Sequence, residues 1–299
     1  MKQQIKSSLI LLLTATIWGV AFVAQSVGME YIGPFTFNAI RCVLGGMVLI
    51  PVILVLKKKK ETGAENQEKE DKKTLWMGGI ACGVILCIAS NLQQFGIMEA
   101  SVGKSGFFTA LYIVMIPVIG IFIGKRPGIK LWFCVALAVV GMYLLCMKDG
   151  SFTIERADIM LLLCALAFSF HILVVDYFSP KVDGVKMSCI QFFVCGVLSA
   201  VGMLFTETLD ISNIQAAWLP LLYAGLLSCG VGYTLQIVGQ KGINPVIASL
   251  IMSLESVISA LAGWVILGQV LSPKEILGCI LMFVAIIITQ IPIGNKKTD

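Results

Sequence analysis

The sequence predicts an all-α polytopic membrane protein with ten transmembrane helices, built as two inverted five-helix repeats. Hydrophobic residues make up 58% of the 299 residues and charged residues only 13%, against roughly 25% charged residues in a soluble domain. Apolar stretches long enough to cross a bilayer, about 20 residues each, follow one another with short polar breaks. The two halves of the chain also resemble each other in sequence.

Continuous apolar runs predict helices, because the strands of a membrane β-barrel would show alternating segments of about ten residues. The N-terminal run is too long for the apolar part of a secretory signal, and a second run follows at once, which predicts an uncleaved first helix. The predicted spans are 5–27, 34–56, 75–98, 101–123, 129–147, 157–178, 185–206, 216–239, 244–267 and 274–292.

The distribution of basic residues predicts the orientation, since loops rich in lysine and arginine stay in the cytoplasm. With the N-terminus inside, the cytoplasmic side holds most of the 22 lysine and arginine residues. We therefore expect both termini, including the tail 293–299, in the cytoplasm of a cell that carries this chain in its inner membrane. The polar segment 57–73 is interpreted as a solvated cytoplasmic linker.

The composition excludes several classes of protein. The sequence is too apolar for an ordinary soluble enzyme, a disordered chain or a nucleic-acid binder. It also lacks the regular cysteine spacing of a disulfide scaffold. The ten cysteines are scattered through apolar runs without a C-x-x-C pair, which favours buried side chains over a metal or redox centre. No cofactor and no metal site are expected.

The halves 1–147 and 156–292 form the two predicted repeats. The matched stretches are LLLTATIW at 11–18 with LLLCALAF at 161–168, and GKRPGIK at 124–130 with GQVLSPK at 268–274. Because five is an odd number of spans, the second repeat must enter the membrane from the opposite side. Inverted repeats are an architecture of secondary transporters, in which substrate binds near the midplane between the halves.

Ionisable side chains inside spans cost a few kcal/mol on insertion scales and are candidates for function. Arg41 and Glu255 fall at similar predicted depths. They either form a buried pair that holds the halves together, or Glu255 stands alone in a low-dielectric cavity and binds substrate or a proton. His171 is a second candidate for proton coupling, because imidazole exchanges protons near neutral pH.

Polar and aromatic side chains at similar depth complete the candidate substrate site. Aromatic rings offer a flat apolar face that also attracts cations. Asn91, Gln93 and Gln94 cluster in the third span, and Tyr233 and Gln236 in the eighth, which suggests polar walls for two vestibules. The predicted substrate-binding residues are Trp18, Asn38, Arg41, Asn91, Gln94, Tyr112, Tyr233, Gln236 and Glu255.

Several short motifs together resemble the drug/metabolite transporter superfamily, specifically its tandem EamA-type members. They are Trp18-Gly19, Arg41, the Gly-Lys-Arg-Pro turn at 124–127, Leu254-Glu255 and the Leu-Gly-Gln turn at 267–269. Two positions depart from the common family pattern: Ser256 replaces the proline that usually follows the glutamate, and Gln269 replaces an acid.

The resemblance implies a ten-helix permease of the inner membrane, usually an exporter of amino acids or other small metabolites. We therefore expect a non-enzymatic secondary transporter working by alternating access, with a small-molecule substrate, the lipid bilayer and protons as partners. A lipid-moving or structural protein, and an importer of a vitamin-like or nucleoside-like solute, remain the alternatives. Monomer and homodimer are both compatible with the sequence.

Overall fold

The structure is a computed structural model that describes residues 2–62, 71–100, 102–124, 127–146, 155–268 and 271–291, and these residues form helices without a β-strand. The tail 293–299, Gln269 and residues 63–70 of the predicted linker lie outside the described residues. The first repeat contains α1 (Lys2–Gly28), α2 (Pro34–Thr62), α3 (Lys72–Glu99), α4 (Val102–Ala110), α5 (Tyr112–Phe122) and α6 (Ile129–Cys146).

The second repeat begins with α7 (Arg156–Phe178) and α8 (Gly184–Thr206), and α9 (Ile211–Ala216) then leads into the next span. That span consists of α10 (Trp218–Leu222), a π-helix (Tyr223–Tyr233) and α11 (Thr234–Gln240). The remaining helices of the second repeat are α12 (Pro245–Met252), α13 (Glu255–Leu267) and α14 (Pro273–Gln290).

Polar residues set the starts of many of these helices. Asp71 caps α3 and Asp183 caps α8 by accepting hydrogen bonds from backbone N–H groups of the first turn, while Asn244 caps α12 immediately before Pro245. Such caps satisfy N–H groups that have no partner inside the helix. In these three places a short polar break between apolar runs marks the start of a helix.

The prediction of an all-α polytopic membrane protein is confirmed. Eight helical segments among the described residues are long and apolar enough to cross a membrane, and Ile129–Leu144 forms a shorter apolar helix. The count of ten spans stays a prediction. The predicted linker differs in one respect, because α2 continues as helix to Thr62 and so includes the first residues of the segment 57–73.

The helices of the two repeats pack against each other in corresponding pairs. The first helix of each repeat packs against the third span of the other, α1 against the π-helix and α11, and α7 against α3. The second helices, α2 and α8, pack against each other, as do the last ones, α6 and α14. Gly124 after α5 and Gly268 after α13 both adopt positive φ angles, 81° and 68°, so the two turns that align in sequence also share this backbone conformation.

Three predicted spans are interrupted. The fourth span breaks at Leu111 between α4 and α5, and the ninth breaks at Ser253 and Leu254 between α12 and α13. The eighth span contains the π-helix, whose wider turns shift the register of its side chains. Hydropathy places a span but carries no information about such breaks, because the residues on both sides are equally apolar.

Candidate functional site

A cavity between the two repeats is formed by the middle parts of α1, α2, α3, α7 and the interrupted spans. It comprises about 420 Å³ of space, counting gaps between atoms and the part open to solvent. Its lining residues are Trp18, Ala21, Phe22, Gln25, Arg41, Gln93, Thr109, Tyr112, Phe168, Ile172, Ser228, Tyr233, Gln236 and Glu255.

The two broken spans meet at this cavity. Tyr112 is the first residue of α5 and Glu255 the first residue of α13, so each follows the break of its own repeat. The Tyr112 hydroxyl donates a hydrogen bond to Glu255 Oε1 at 3.0 Å. Gly19 allows α1 to approach α13, because a Cβ at this position would lie 2.8 Å from the Glu255 backbone oxygen.

Arg41 reaches the cavity from α2. Its side chain is 2% exposed, and Nη1 donates a hydrogen bond of 2.8 Å to Gln25 Oε1 on α1. The Nε atom has no hydrogen-bond partner among the described residues. The guanidinium therefore keeps an unused donor in a place where water has little access, which is costly unless a ligand completes it.

Arg41 and Glu255 line the same cavity but do not pair with each other in the described structure. Arg41 donates a hydrogen bond to the Gln25 amide oxygen. Glu255, which is 4% exposed, accepts one from the Tyr112 hydroxyl. Of the two arrangements that the sequence left open, a direct ion pair is thus not the one observed. Each charge has a neutral partner and remains able to meet a group of opposite charge on a ligand.

Aromatic rings form one wall of the cavity. The rings of Trp18 and Tyr233 lie 4.6 Å apart between centroids at an angle of 55°. Trp18 Nε1 donates to the backbone oxygen of Ser228 at 3.4 Å, within the π-helix. The π-helix therefore brings both Ser228 and Tyr233 to the cavity, and glycine at Gly232 leaves space for the indole, since a Cβ there would lie 2.8 Å from Trp18 Nε1.

The predicted substrate-binding residues divide into two groups. The cavity is lined by Trp18, Arg41, Tyr112, Tyr233, Gln236 and Glu255, but Asn38, Asn91 and Gln94 are not among its lining residues. Asn38 Nδ2 donates to Asn91 Oδ1 at 2.9 Å, and Asn91 Nδ2 donates to Ser199 Oγ at 3.0 Å. These amides join α2, α3 and α8, while Gln94 contacts the Met29 sulfur atom.

His171 lies beside the cavity without lining it. Its Nε2 is 3.1 Å from Gln191 Oε1, and its ring meets Tyr233 edge-on with 6.0 Å between centroids. Tyr233 lines the cavity and contacts the His171 ring, so the Tyr233 side chain lies between His171 and the cavity. Its role as a proton carrier stays a prediction.

Some lining residues had not been proposed from the sequence. Gln25, Thr109 and Ser228 are polar side chains inside apolar spans, the same signal that selected Gln236. Gln93, which also lines the cavity, had been assigned to a polar vestibule wall but not to the predicted substrate-binding residues. Phe168 and Ile172 gave no such signal, because apolar residues in an apolar helix do not show which side they face. In the described part of the chain no three His, Cys, Asp or Glu side chains lie close enough together to hold a metal ion.

Family comparison agrees with this architecture. A model described as the EamA-like transporter family matches twice, at residues 5–147 and 155–291. The chain belongs to the EamA-like transporter family. The two matches coincide with the two repeats, so this EamA-like protein is a membrane transporter with a tandem family domain.

Relatives of similar length support the same conclusion. A protein of Archaeoglobus fulgidus named an uncharacterized transporter is 27% identical over 282 residues, covering 94% of this chain and 84% of its own. The uncharacterized transporter YwfM of Bacillus subtilis is 24% identical, covering 97% and 96%. A crystal structure with 17% identity superposes with a TM-score of 0.77 over 95% of this chain and 96% of the other, which shows the shared fold.

Proposed function

We propose that this EamA-like protein is a secondary transporter of small metabolites that carry both a positive and a negative charge, such as amino acids. The observation that carries the proposal is the pair of buried, opposite charges that line one cavity without pairing. A substrate carboxylate is expected to bind Arg41, whose Nε has no partner. A substrate ammonium group is expected to bind Glu255.

The energetic argument concerns the cost of burying charge. An uncompensated charge in a low-dielectric interior is strongly unfavourable, and opposite charges that share a cavity gain most by direct contact. Here Arg41 donates instead to the Gln25 amide oxygen, and Glu255 accepts from the Tyr112 hydroxyl. A zwitterionic ligand would neutralise both groups at once, whereas an uncharged solute would neutralise neither.

The transport mechanism follows from the repeats. The cavity lies between two halves of opposite orientation, so rocking of one half against the other would expose it to each side in turn. The expected direction is export, across a cell membrane with both termini in the cytoplasm. Glu255 is the proposed proton carrier, since a proton and a substrate ammonium group would compete for its carboxylate.

The test is counterflow in proteoliposomes that contain the purified chain and an internal pool of mixed amino acids. Saturable uptake of external radiolabelled amino acids is expected, together with a rise in thermal stability on ligand binding. Arg41→Gln and Glu255→Gln should each lower the uptake about a hundredfold, as expected from roughly 3 kcal/mol for a charge-assisted contact. Full uptake by both folded variants would exclude this site.

A matched control separates binding from folding. Gln191 occupies the position in α8 that corresponds to Arg41, and it does not line the cavity. Gln191→Leu should leave the substrate affinity unchanged even where it lowers stability. Movement of fluorescent lipid by the purified chain, without saturable solute uptake, would instead support the lipid-moving alternative.

Proton coupling needs its own readout. A pH-sensitive dye trapped in the vesicles should report proton movement when substrate is added to the wild-type protein. In Glu255→Gln that signal should disappear even at substrate concentrations that saturate any remaining uptake. A normal proton signal in this variant would remove Glu255 from the coupling mechanism.

A further inference from the structure

The amide of Gln236 lines the cavity and keeps an unused hydrogen-bond acceptor. Gln236 lies on α11, and its side chain is 1% exposed. Its Oε1 atom has no hydrogen-bond partner among the described residues. A carbonyl oxygen that is removed from water without gaining a donor is unfavourable in a folded protein. This acceptor therefore needs a donor that the described part of the chain does not supply.

A neighbouring amide fixes which atom of Gln236 is left without a partner. Gln240 Nε2 donates to the backbone oxygen of Ile172 at 2.9 Å, and because that oxygen can only accept, Gln240 turns its own Oε1 to Gln236. Gln236 Nε2 then donates to Gln240 Oε1 at 3.3 Å. Rotating the Gln236 amide by half a turn would place two acceptor oxygens against each other. The hydrogen-bond network thus leaves the Gln236 oxygen as the free group.

The cavity wall around this acceptor is mainly apolar and aromatic. Tyr233 precedes Gln236 by three residues, about 4.5 Å along a helix axis, and its ring contacts the Trp18 ring. Ile172, whose backbone oxygen binds Gln240, lines the cavity together with Phe168, one turn earlier on α7. A ligand group that fits here has an apolar body and a hydrogen-bond donor that reaches Gln236.

The charges of the cavity restrict that group to an uncharged one. Among the lining residues of the described chain, Arg41 and Glu255 carry the charges, and the proposed function assigns them to the carboxylate and the ammonium group of the substrate. A third charge on the substrate would be buried in the cavity without a counter-charge. The donor for Gln236 is therefore expected on a hydroxyl, an amide or a ring N–H.

We propose that Gln236 Oε1 accepts a hydrogen bond from an uncharged donor on the side chain of the zwitterionic substrate. Gln236 thereby selects zwitterions with such a donor over analogues of the same shape without one, because the analogue leaves a buried acceptor unpaired. Gln240 acts as a positioning residue that orients the Gln236 amide. This inference rests on the proposed function and defines the side-chain chemistry of its substrate.

Matched ligands test this selectivity on the purified chain. Tyrosine and phenylalanine differ by one hydroxyl, and O-methyltyrosine keeps the oxygen atom without the donor. The pair 5-hydroxynorvaline and norleucine makes the same comparison with a flexible side chain. Thermal-shift titration gives each Kd, since a ligand that binds only the folded state raises its stability, and competition in counterflow gives an independent value.

The expected result is a Kd about tenfold lower for the ligand with the donor, the shift that corresponds to one hydrogen bond to a buried acceptor. In the first series tyrosine should therefore bind more tightly than both phenylalanine and O-methyltyrosine. In the second series 5-hydroxynorvaline should bind more tightly than norleucine. A preference in one series alone supports the proposal and shows how far the donor lies from the charged groups of the ligand.

Three variants assign the preference to Gln236. Gln236→Met keeps the length of the side chain without the acceptor, and the ratio of the two Kd values in each pair should fall to about one. A general loss of stability weakens both ligands alike and leaves this ratio unchanged. Gln240→Met removes the contact that orients Gln236 and should lower the ratio in part. Gln93→Met, which changes an amide of the same cavity that donates to Thr109, should keep the ratio of the wild-type protein.

Uncharged fragments separate this inference from the proposed function. Neither 4-methylphenol nor 4-methylanisole carries a charge for Arg41 or Glu255, and only the phenol has a donor. A larger thermal shift with the phenol, lost in Gln236→Met, would support the donor site even if no amino acid bound, in which case the proposed function alone would be rejected.

Two outcomes would overturn the inference. The first is equal affinity within every pair, in both amino-acid series and in the fragments. The second is a preference for the donor that persists undiminished in folded Gln236→Met, because the donor would then bind another group of the cavity.

Discussion

At the break in its fourth span the first repeat presents a phenol to the cavity, Tyr112, whereas the break in the second repeat presents a carboxylate, Glu255. The second helices differ in the same way: Arg41 of α2 lines the cavity, but the corresponding Gln191 of α8 contacts His171 and Ser188. The helix arrangement is thus repeated in the second half, whereas the charged residues at the cavity are not. In the proposed mechanism the repeated scaffold would open to either side, while one asymmetric set of charges would give a zwitterionic ligand a single orientation.

Exchange of the two groups at the breaks should have the largest effect. The double variant Tyr112→Glu with Glu255→Tyr keeps a phenol beside a carboxylate but moves the negative charge to the first repeat. We expect transport to fall about a hundredfold, because the carboxylate changes its place relative to Arg41. Counterflow measures this effect. Recovery of wild-type uptake would show that the asymmetry of the two breaks is irrelevant.

Loss of the hydroxyl between the repeats should have a smaller effect. Tyr112→Phe keeps the ring and removes the donor to Glu255 Oε1. A single hydrogen bond to a charged group is worth about 1.5 kcal/mol or more, so substrate Kd should change by roughly tenfold. Thermal-shift titration gives this Kd. An unchanged Kd would mean that Tyr112 positions neither Glu255 nor the substrate.

The amides outside the cavity should affect stability instead of binding. Asn38→Ala removes the bond to Asn91 and leaves a buried carbonyl group without its donor. The free energy of unfolding should fall by about 1–3 kcal/mol, seen as a lower Tm in detergent, while substrate Kd stays at its wild-type value. A weaker Kd at unchanged Tm would return Asn38 to the substrate site.

The smallest effect is expected at the aspartates that cap α3 and α9, Asp71 and Asp210. Hydrogen bonds from the Thr74 hydroxyl to Asp71, and from the Ser212 hydroxyl to Asp210, hold the pKa of each carboxyl below its usual value. The lowered pKa means that each cap stabilises the fold at neutral pH and that this contribution disappears as the pH falls through the folded-state pKa. Asp71→Ala and Asp210→Ala should therefore lower Tm slightly at pH 7.

The same measurement at low pH provides the control. Below the folded-state pKa both caps are protonated in the wild-type chain, so wild type and variants should have the same Tm. A difference in Tm that persists there would show that the carboxylates act through packing and not through their charge.

Much of the fold could be predicted from the sequence. Mean hydropathy of +0.94 and the spacing of polar breaks were sufficient to identify a polytopic helical protein, since a backbone in lipid must satisfy its hydrogen bonds within helices. The matching stretches at 11–18 and 161–168 revealed the repeat. Inserting an ionisable residue into an apolar span costs a few kcal/mol, so Arg41 and Glu255 could be recognised as candidate functional residues without any structure.

Tertiary structure decided which of these residues line the cavity and which contact each other. Sequence gave no reason to separate Gln236, in the cavity, from Asn91, which joins three helices, because both are buried amides in apolar spans. The partners of Arg41 and Glu255 are equally a matter of packing: Gln25 and Tyr112 reach them from α1 and α5. Composition and periodicity establish what a helix can bury, but which buried groups meet depends on the rotation and the breaks of helices far apart in the chain.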